Sequence, residues 1–214
     1  MKETLLNQLS EVQKIAEYSK TKRFLNHPGR YIEAIFFRKV IYPFSKKERF
    51  KEVNLFFSQM MNIALPASTD IYLTGGKSHD SEIRLAKFLI KNLNQGDNFV
   101  DIGAHYGYFT LLGAHLVGKG GRVFSFEPGK STYSLLEKNT TEIPNINVFN
   151  LAVSDKCGLI SFNKRDDDLW NGASQERRFI LPHANPLPLE FDMPRMTIAS
   201  LAASLLLTLG IAVP

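Results

Sequence analysis

The stretch Asn98–Gly107 (NFVDIGAHYG), followed by Val123–Pro128 (VFSFEP), constrains the fold more than any other part of the chain. Each begins as a short β-branched and aromatic run and leads into an acid and turn residues. That order predicts strand, sharp turn, helix and strand, the repeating piece of a parallel α/β sheet. Gly103 lets the chain turn off the first strand, and Gly107 lets a helix start close against a ligand. Glu127, at the end of the second strand, is placed to accept hydrogen bonds from a ribose diol. The layout is that of a nucleoside-cofactor site at the carboxyl edge of the sheet.

The remaining pattern extends this unit in both directions. Upstream, Ser81–Leu93 has a helical apolar face built from Ile83, Leu85, Phe88, Leu89 and Leu93, with Asp80 or Ser81 as its cap. Strands are expected at Phe99–Ile102, 123–127 and Ile146–Val153, with helices at 107–117 and Ser131–Asn139 between them. Asp155–Gly158 reads as a turn into a hairpin strand, Leu159–Phe162. Asp70–Gly76 (DIYLTGG) reads as a short strand and turn. Beyond it, Lys164–Arg178 is polar and loop-like, and Pro182, Pro186, Pro188 and Pro194 forbid long elements.

The first quarter of the chain differs in composition. Residues 1–65 carry a net charge of +6, against −1 for residues 66–214. Apolar spacing over 3–25 is helical, HPGR at 27–30 interrupts it, and 31–42 resumes as helix or buried strand until Pro43. Lys46–Lys51 reads as a solvated turn or helix start, and 53–65 as an apolar run ended by Pro66. Residues 1–65 are thus read as a basic, mainly helical extension, and 66–214 as a Rossmann-like domain. Basic and aromatic residues interleave here, but a helix pair with an aromatic core accounts for them better than a nucleic-acid surface does.

Cys157 is the sole cysteine and cannot form an internal disulfide, which fits a cytoplasmic location. The N-terminus is amphipathic and lacks the apolar centre of a signal peptide. Met196–Pro214 has no charged residue but is diluted by Thr197, Ser200, Ser204 and Thr208, which favours a packed helix over a membrane anchor. Asp166–Asp168 lacks the alternation of a calcium loop, and no Cys–His spacing suits zinc, so no metal is expected.

The glycines fall as G-x-x-x-G, unlike the G-x-G-x-x-G of dinucleotide-binding sites, and Asp101 stands two residues ahead of the first. A carboxylate there would repel a pyrophosphate but suits a cationic ligand. S-adenosylmethionine is such a ligand, with an ammonium, a sulfonium and no phosphate. The segments FVDIGAHYGYFT, FSFEPGKSTYSLLEKN and VFNLAVSD, with GGKSHDSEIRLAKFL upstream, resemble successive motifs of the FkbM-type S-adenosylmethionine-dependent methyltransferases over roughly residues 66–162. The resemblance implies that Asp101, Gly103, Ala104, His105 and Gly107 lie beneath the methionine and ribose portions, and that Glu127 binds the ribose hydroxyls. It also implies that Ala152 and Val153 flank the adenine, that Tyr108 lines the pocket, and that Glu82 faces the amino acid end.

Two departures stand out. The family often has Asn where this chain has His105. An I-D-x-E-G-type strand expected further on is missing, although MTIASLAASLL (196–206) resembles the segment before it. The resemblance therefore implies a truncated or frame-disrupted chain. The activity it implies is O-methylation of a sugar, glycan or secondary-metabolite hydroxyl, with His105 a weak candidate for the base. A non-catalytic cofactor-binding remnant is the alternative, and the glycine spacing disfavours an NAD-dependent oxidoreductase. The expected partner is a small-molecule or glycan acceptor, with neither nucleic acid nor membrane.

Overall fold

The computed structural model describes residues 1–153 together with the short strands 159–161 and 178–180. Its centre is a parallel sheet of β3 (Asn98–Ile102), β4 (Arg122–Phe126) and β5 (Ile146–Phe149), in the order β3-β4-β5. Helix α7 (Tyr108–Val117) connects β3 to β4, and α8 (Lys130–Thr140) connects β4 to β5. Right-handed crossovers in that order put both helices on one face of the sheet. The α/β sheet expected from the motifs is therefore present, with β5 ending earlier than the expected Ile146–Val153.

Helix α7 is apolar nearly all round (YFTLLGAHLV), because all of it but the half-buried Phe109 and the exposed His115 is buried. It contacts β3, β4 and the preceding helix α6 (Asp80–Asn92). A Cβ at Gly113 would collide with the ring of Phe99, so the missing side chain is what lets helix and strand approach. At the other end, Gly107 (φ 94°) forms the left-handed N-cap of α7, and a Cβ there would stand 2.7 Å from Leu136 Cδ1 of α8. Position 107 thus needs glycine both for its backbone conformation and for space.

The N-terminal region departs from the expected helical extension in several places. The helical spacing over 3–25 is split into α1 (Lys2–Glu17) and α2 (Lys20–Asn26), because Ser19 caps α2 by accepting from the Lys22 amide. HPGR starts a helix instead of only interrupting one: Pro28 opens α3 (Pro28–Phe36), where its missing N–H costs nothing. The chain then passes through a π-helical turn, Phe37–Ile41, into α4 (Tyr42–Ser45), so Pro43 lies inside the first turn of a helix and does not stop the run at 42. Lys46 ends α4 in the left-handed conformation.

The basic and apolar stretches after it form an antiparallel hairpin, β1 (Arg49–Asn54) with β2 (Met60–Leu65), and do not continue the helical extension. Alternation of Lys51, Val53 and Leu55 with polar neighbours carries this signal weakly. The decisive burial lies on β2, where Met61, Ile63, Ala64 and Leu65 are buried. Asp70–Gly76 is also helical: α5 (Thr69–Thr74) ends on Gly75 at φ 75°, so the glycine pair terminates a helix and not a strand. A buried cluster runs through both regions, joining Leu5, Leu9, Val53, Ile63 and Leu65 to Ile90, Leu111 and Leu116.

Strand β6 (Leu159–Ser161) pairs antiparallel with β7 (Arg178–Ile180), and not with the preceding strand as a tight turn at 155–158 would require. The turn itself, the proline-rich segment and the uncharged stretch 196–214 lie outside the described residues. Among those residues, no helix is long and apolar enough to cross a membrane.

Candidate cofactor site

The carboxyl ends of β3 and β4 open into a cavity of about 340 Å³. Its wall includes Gly103, Ala104, His105 and Tyr106 from the turn after β3, Tyr108 and Phe109 from α7, and Glu127 and Thr132 after β4. Met61, Ser68, Ile71, Lys77 and Glu82 close it from the N-terminal side. The volume falls in the range of small-molecule sites.

Glu127 is the most firmly held group here, buried at 8 % exposure. Its Oε2 accepts from the His105 amide at 2.8 Å, and its Oε1 accepts from the Gly129 amide at 2.8 Å and from Thr132 Oγ1 at 2.7 Å. These donors fix the carboxylate across the gap between the two strand ends. A carboxylate offers roughly four lone-pair sites, so capacity remains for a hydroxyl donor. Asn150 Nδ2 donates to the Glu127 and Pro128 carbonyls and holds the end of β5 to the same turn.

Asp101 stands one layer behind the cavity. Its Oδ2 accepts from Thr110 Oγ1 at 2.6 Å, and Thr110 Oγ1 lies 2.9 Å from Ser125 Oγ. Thr110 has one proton, which goes to the carboxylate, so Ser125 must donate to Thr110. This chain ties β3, α7 and β4 together beneath the loop. Burial, reinforced by the Glu127 charge, pushes the Asp101 carboxyl up to about 6, although the Thr110 hydrogen bond opposes it.

His105 adopts a positive φ of 52°, and its ring lies against that of Tyr106. Burial and the Lys77 charge lower its imidazole to about 4, so it is neutral at pH 7 and a weak proton acceptor.

The wall formed by α6 and α7 holds buried polar atoms without a full set of partners. Glu82 Oε1 pairs with Lys77 Nζ at 2.8 Å, but Glu82 Oε2 is buried with no hydrogen bond. The Tyr108 hydroxyl is likewise buried, with the Lys77 amide beside it but no acceptor for its own proton, and burial holds that proton on far above the usual range. Buried polar atoms without partners are costly, and two in one cavity point to a ligand that supplies the missing bonds.

Of the residues singled out from sequence, Glu82, Gly103, Ala104, His105, Tyr108 and Glu127 line this cavity. Asp101 and Gly107 shape the loop from behind. Ala152 and Val153 follow β5 outside the lining, Ala152 being buried. Lys77, Tyr106, Met61, Ser68, Ile71, Phe109 and Thr132 were not assigned from sequence. Thr132 had a readable signal, a hydroxyl in the first turn of a helix near an acid, whereas Met61 and Ile71 reach the cavity only because the hairpin and α5 fold over it.

A strand-end carboxylate and a glycine turn at a helix start, beside an acid-rich cavity at the carboxyl edge of a parallel sheet, are the layout of a nucleoside-cofactor site. Residues 101–187 match the family described as the methyltransferase FkbM domain. That match implies S-adenosylmethionine as the cofactor.

Among solved structures, the chain is similar to a SAM-dependent O-methyltransferase from Thermotoga maritima, with 28% identity over 34% of this chain and 27% of that one, at a TM-score of 0.29. A SAM-dependent methyltransferase from Aquifex aeolicus shows 19% identity over 36% and 43% of the two chains, at a TM-score of 0.28. P. horikoshii TYW2 in complex with MeSAdo shows 15% identity over 54% and 40%, at 0.37. The chain spans less than half the length of each of these structures. No curated protein matches it.

Proposed function

We propose that the chain binds S-adenosylmethionine in the cavity between β3, β4 and the α5–α6 segment and transfers its methyl group to a hydroxyl oxygen, on a sugar, glycan or secondary metabolite. The carrying observation is the pair of incompletely bonded buried groups, Glu82 Oε2 and the Tyr108 hydroxyl proton, on residues of the same cavity as the fixed carboxylate of Glu127. Glu82 and Glu127 outnumber Lys77 there, with Asp101 behind them, so the site favours a cation and disfavours the pyrophosphate of NAD.

When bound, S-adenosylmethionine supplies an electrophilic methyl on a sulfonium. Glu127 would accept from the ribose hydroxyls without moving, because the His105 and Gly129 amides already orient it. Glu82 Oε2 would accept from the ammonium, and the Tyr108 hydroxyl would donate to the amino acid carboxylate. Ala104, Tyr106 and Phe109 would exclude water around the sulfonium. Neutral His105 would contribute a hydrogen-bonding wall more than a strong base.

Incubation with S-adenosylmethionine and a panel of hydroxylated acceptors tests the reading. Formation of S-adenosylhomocysteine together with a singly methylated product, both lost in Glu127→Ala, is the expected result. Tight cofactor binding with no acceptor methylated would favour the non-catalytic remnant instead.

A further inference from the structure

The exposed apolar side chains of this molecule are not scattered evenly over it. Eleven large ones stand exposed among the described residues, and six of them fall between positions 24 and 44: Phe24, Leu25, Ile32, Phe36, Val40 and Phe44. We propose that the helical run from Pro28 to Ser45 is a docking surface for an anionic membrane. It would lie along the lipid headgroups with Ile32, Phe36, Val40 and Phe44 inserted and its cations against the anionic heads. The inference is independent of the methyltransferase reading.

The run is continuous. Helix α3, the π-helical turn and α4 follow one another with right-handed helical angles at each junction, a length of about 27 Å at the usual rise. Ile32, Phe36, Val40 and Phe44 recur at every fourth residue and are 43 to 87 % exposed. In an ideal α-helix a four-residue step overshoots one turn by about 40°, so such a row winds away round the helix. The π-helical turn closes on longer i→i+5 bonds, and the Phe36–Val40 step across it takes up part of that drift. Ala34 and Phe37 of the same run are buried against the protein. A helix that only met water would carry polar residues on its outer side, and this one carries its largest apolar residues there. Sequence alone does not show this, because composition is silent on which side of the run faces out.

Charge decides between the possible occupants. The run contains one acid, Glu33, and the protein itself engages it. Lys51 Nζ lies 2.6 Å and Arg49 Nη1 3.3 Å from its Oε1, and Tyr72 Oη donates to its Oε2 at 2.6 Å. The exposed charges on the run are Arg30, Arg38 and Lys39, and the exposed Lys46 and Lys47 follow it directly. An apolar row flanked by cations is what an anionic lipid interface takes up, the row entering the acyl boundary and the cations meeting the headgroups. A second copy docked on the same face in a two-fold contact would set these cations against their own kind. Nucleic acid would meet the cations but leave the apolar row in water. Among the described residues no helix can cross a bilayer, so the contact proposed is with its surface.

Co-sedimentation of the full chain with vesicles of phosphatidylcholine alone, and of phosphatidylcholine mixed with phosphatidylglycerol, tests the inference. Saturable binding to the anionic vesicles is expected, about tenfold or more weaker on the neutral ones and falling as salt is raised. Phe36→Ser and Phe44→Ser should each weaken binding about tenfold, as removing one phenylalanine side chain from an apolar contact does. Replacing Lys46 and Lys47 together by Gln should weaken it several-fold at low salt and little at high salt. All four positions are exposed, so the melting curves of these variants should match that of the native chain.

Absence of binding to anionic vesicles would overturn the docking surface, and so would equal binding to neutral ones. Vesicle binding indifferent to both phenylalanine substitutions would also overturn it, by putting the lipid contact elsewhere in the chain. Sedimentation equilibrium without lipid reads the remaining alternative. A dimer that Phe36→Ser dissociates would show that a second copy covers the row, and would overturn the membrane surface.

Discussion

The backbone N–H of His105 donates to Glu127 Oε2 at 2.8 Å, so the turn after one strand is fastened to the carboxylate at the end of its neighbour. The same carboxylate takes the Gly129 amide and the Thr132 hydroxyl. Its geometry is set by the protein alone, so a ligand that bonded to it would spend little on ordering it.

Glu127→Gln keeps the shape but removes an acceptor and the charge. S-adenosylhomocysteine affinity should fall about tenfold to a hundredfold, the equivalent of ~1.5–3 kcal/mol for a hydrogen bond to a charged group. Titration calorimetry at a temperature well below unfolding checks this, and unchanged affinity would remove Glu127 from the ribose site.

Tyr108→Phe separates binding from folding. The hydroxyl is buried with no acceptor for its proton and at most a weak contact from the Lys77 amide, so its removal should change thermal stability little. Affinity for S-adenosylhomocysteine should nevertheless drop several-fold. Parallel melting curves and titrations read the two effects; a loss of stability with full affinity would assign the hydroxyl a structural role.

Gly107→Ala should destabilise by about 1–3 kcal/mol, because the position combines a positive φ with a methyl-to-Leu136 collision. Denaturant titration measures it. An unaltered midpoint would mean that α8 yields easily and that the close approach of α7 to α8 is not required.

Asp101 makes stability pH-dependent in a defined direction. Its carboxyl is raised from 3.8 to about 6 on folding, so the folded chain holds the proton more tightly than the unfolded one. Its contribution is fully present below about pH 4 and is lost as pH rises through about 6. Asp101→Asn should therefore melt higher than the native chain at pH 7.5, with the advantage shrinking toward pH 4. Glu33 runs the other way: hydrogen bonds from Lys51 and Tyr72 lower its pKa, so its contribution is lost as pH falls below the usual carboxylate range. Melting curves of Asp101→Asn across that span isolate the first effect from the second.

The central sheet was readable because each strand and helix there obeys one period and is bounded by turn residues. Asn98–Ile102 and Tyr108–Val117 fall within a residue of expectation. The hairpin at 49–65 was not, since its outward residues Phe50 and Met60 are apolar and its inward β2 run is continuous, which erases alternation. DIYLTGG fits a strand and a short helix equally well by composition, and only burial of Ile71 and Tyr72 against the N-terminal elements selects the helix. Of the cavity, Glu127 and the glycine loop stand out in the sequence as local motifs. Lys77 was not, because its role depends on Glu82, brought beside it by the turn into α6.

Calorimetric titration of the chain with S-adenosylhomocysteine, set against NAD under the same conditions, tests the central claim most directly. Saturable one-to-one binding of S-adenosylhomocysteine, reduced by Glu82→Gln and by Glu127→Gln, with no heat from NAD, is the predicted result. Binding of NAD alone, or S-adenosylhomocysteine binding indifferent to both substitutions, would contradict it.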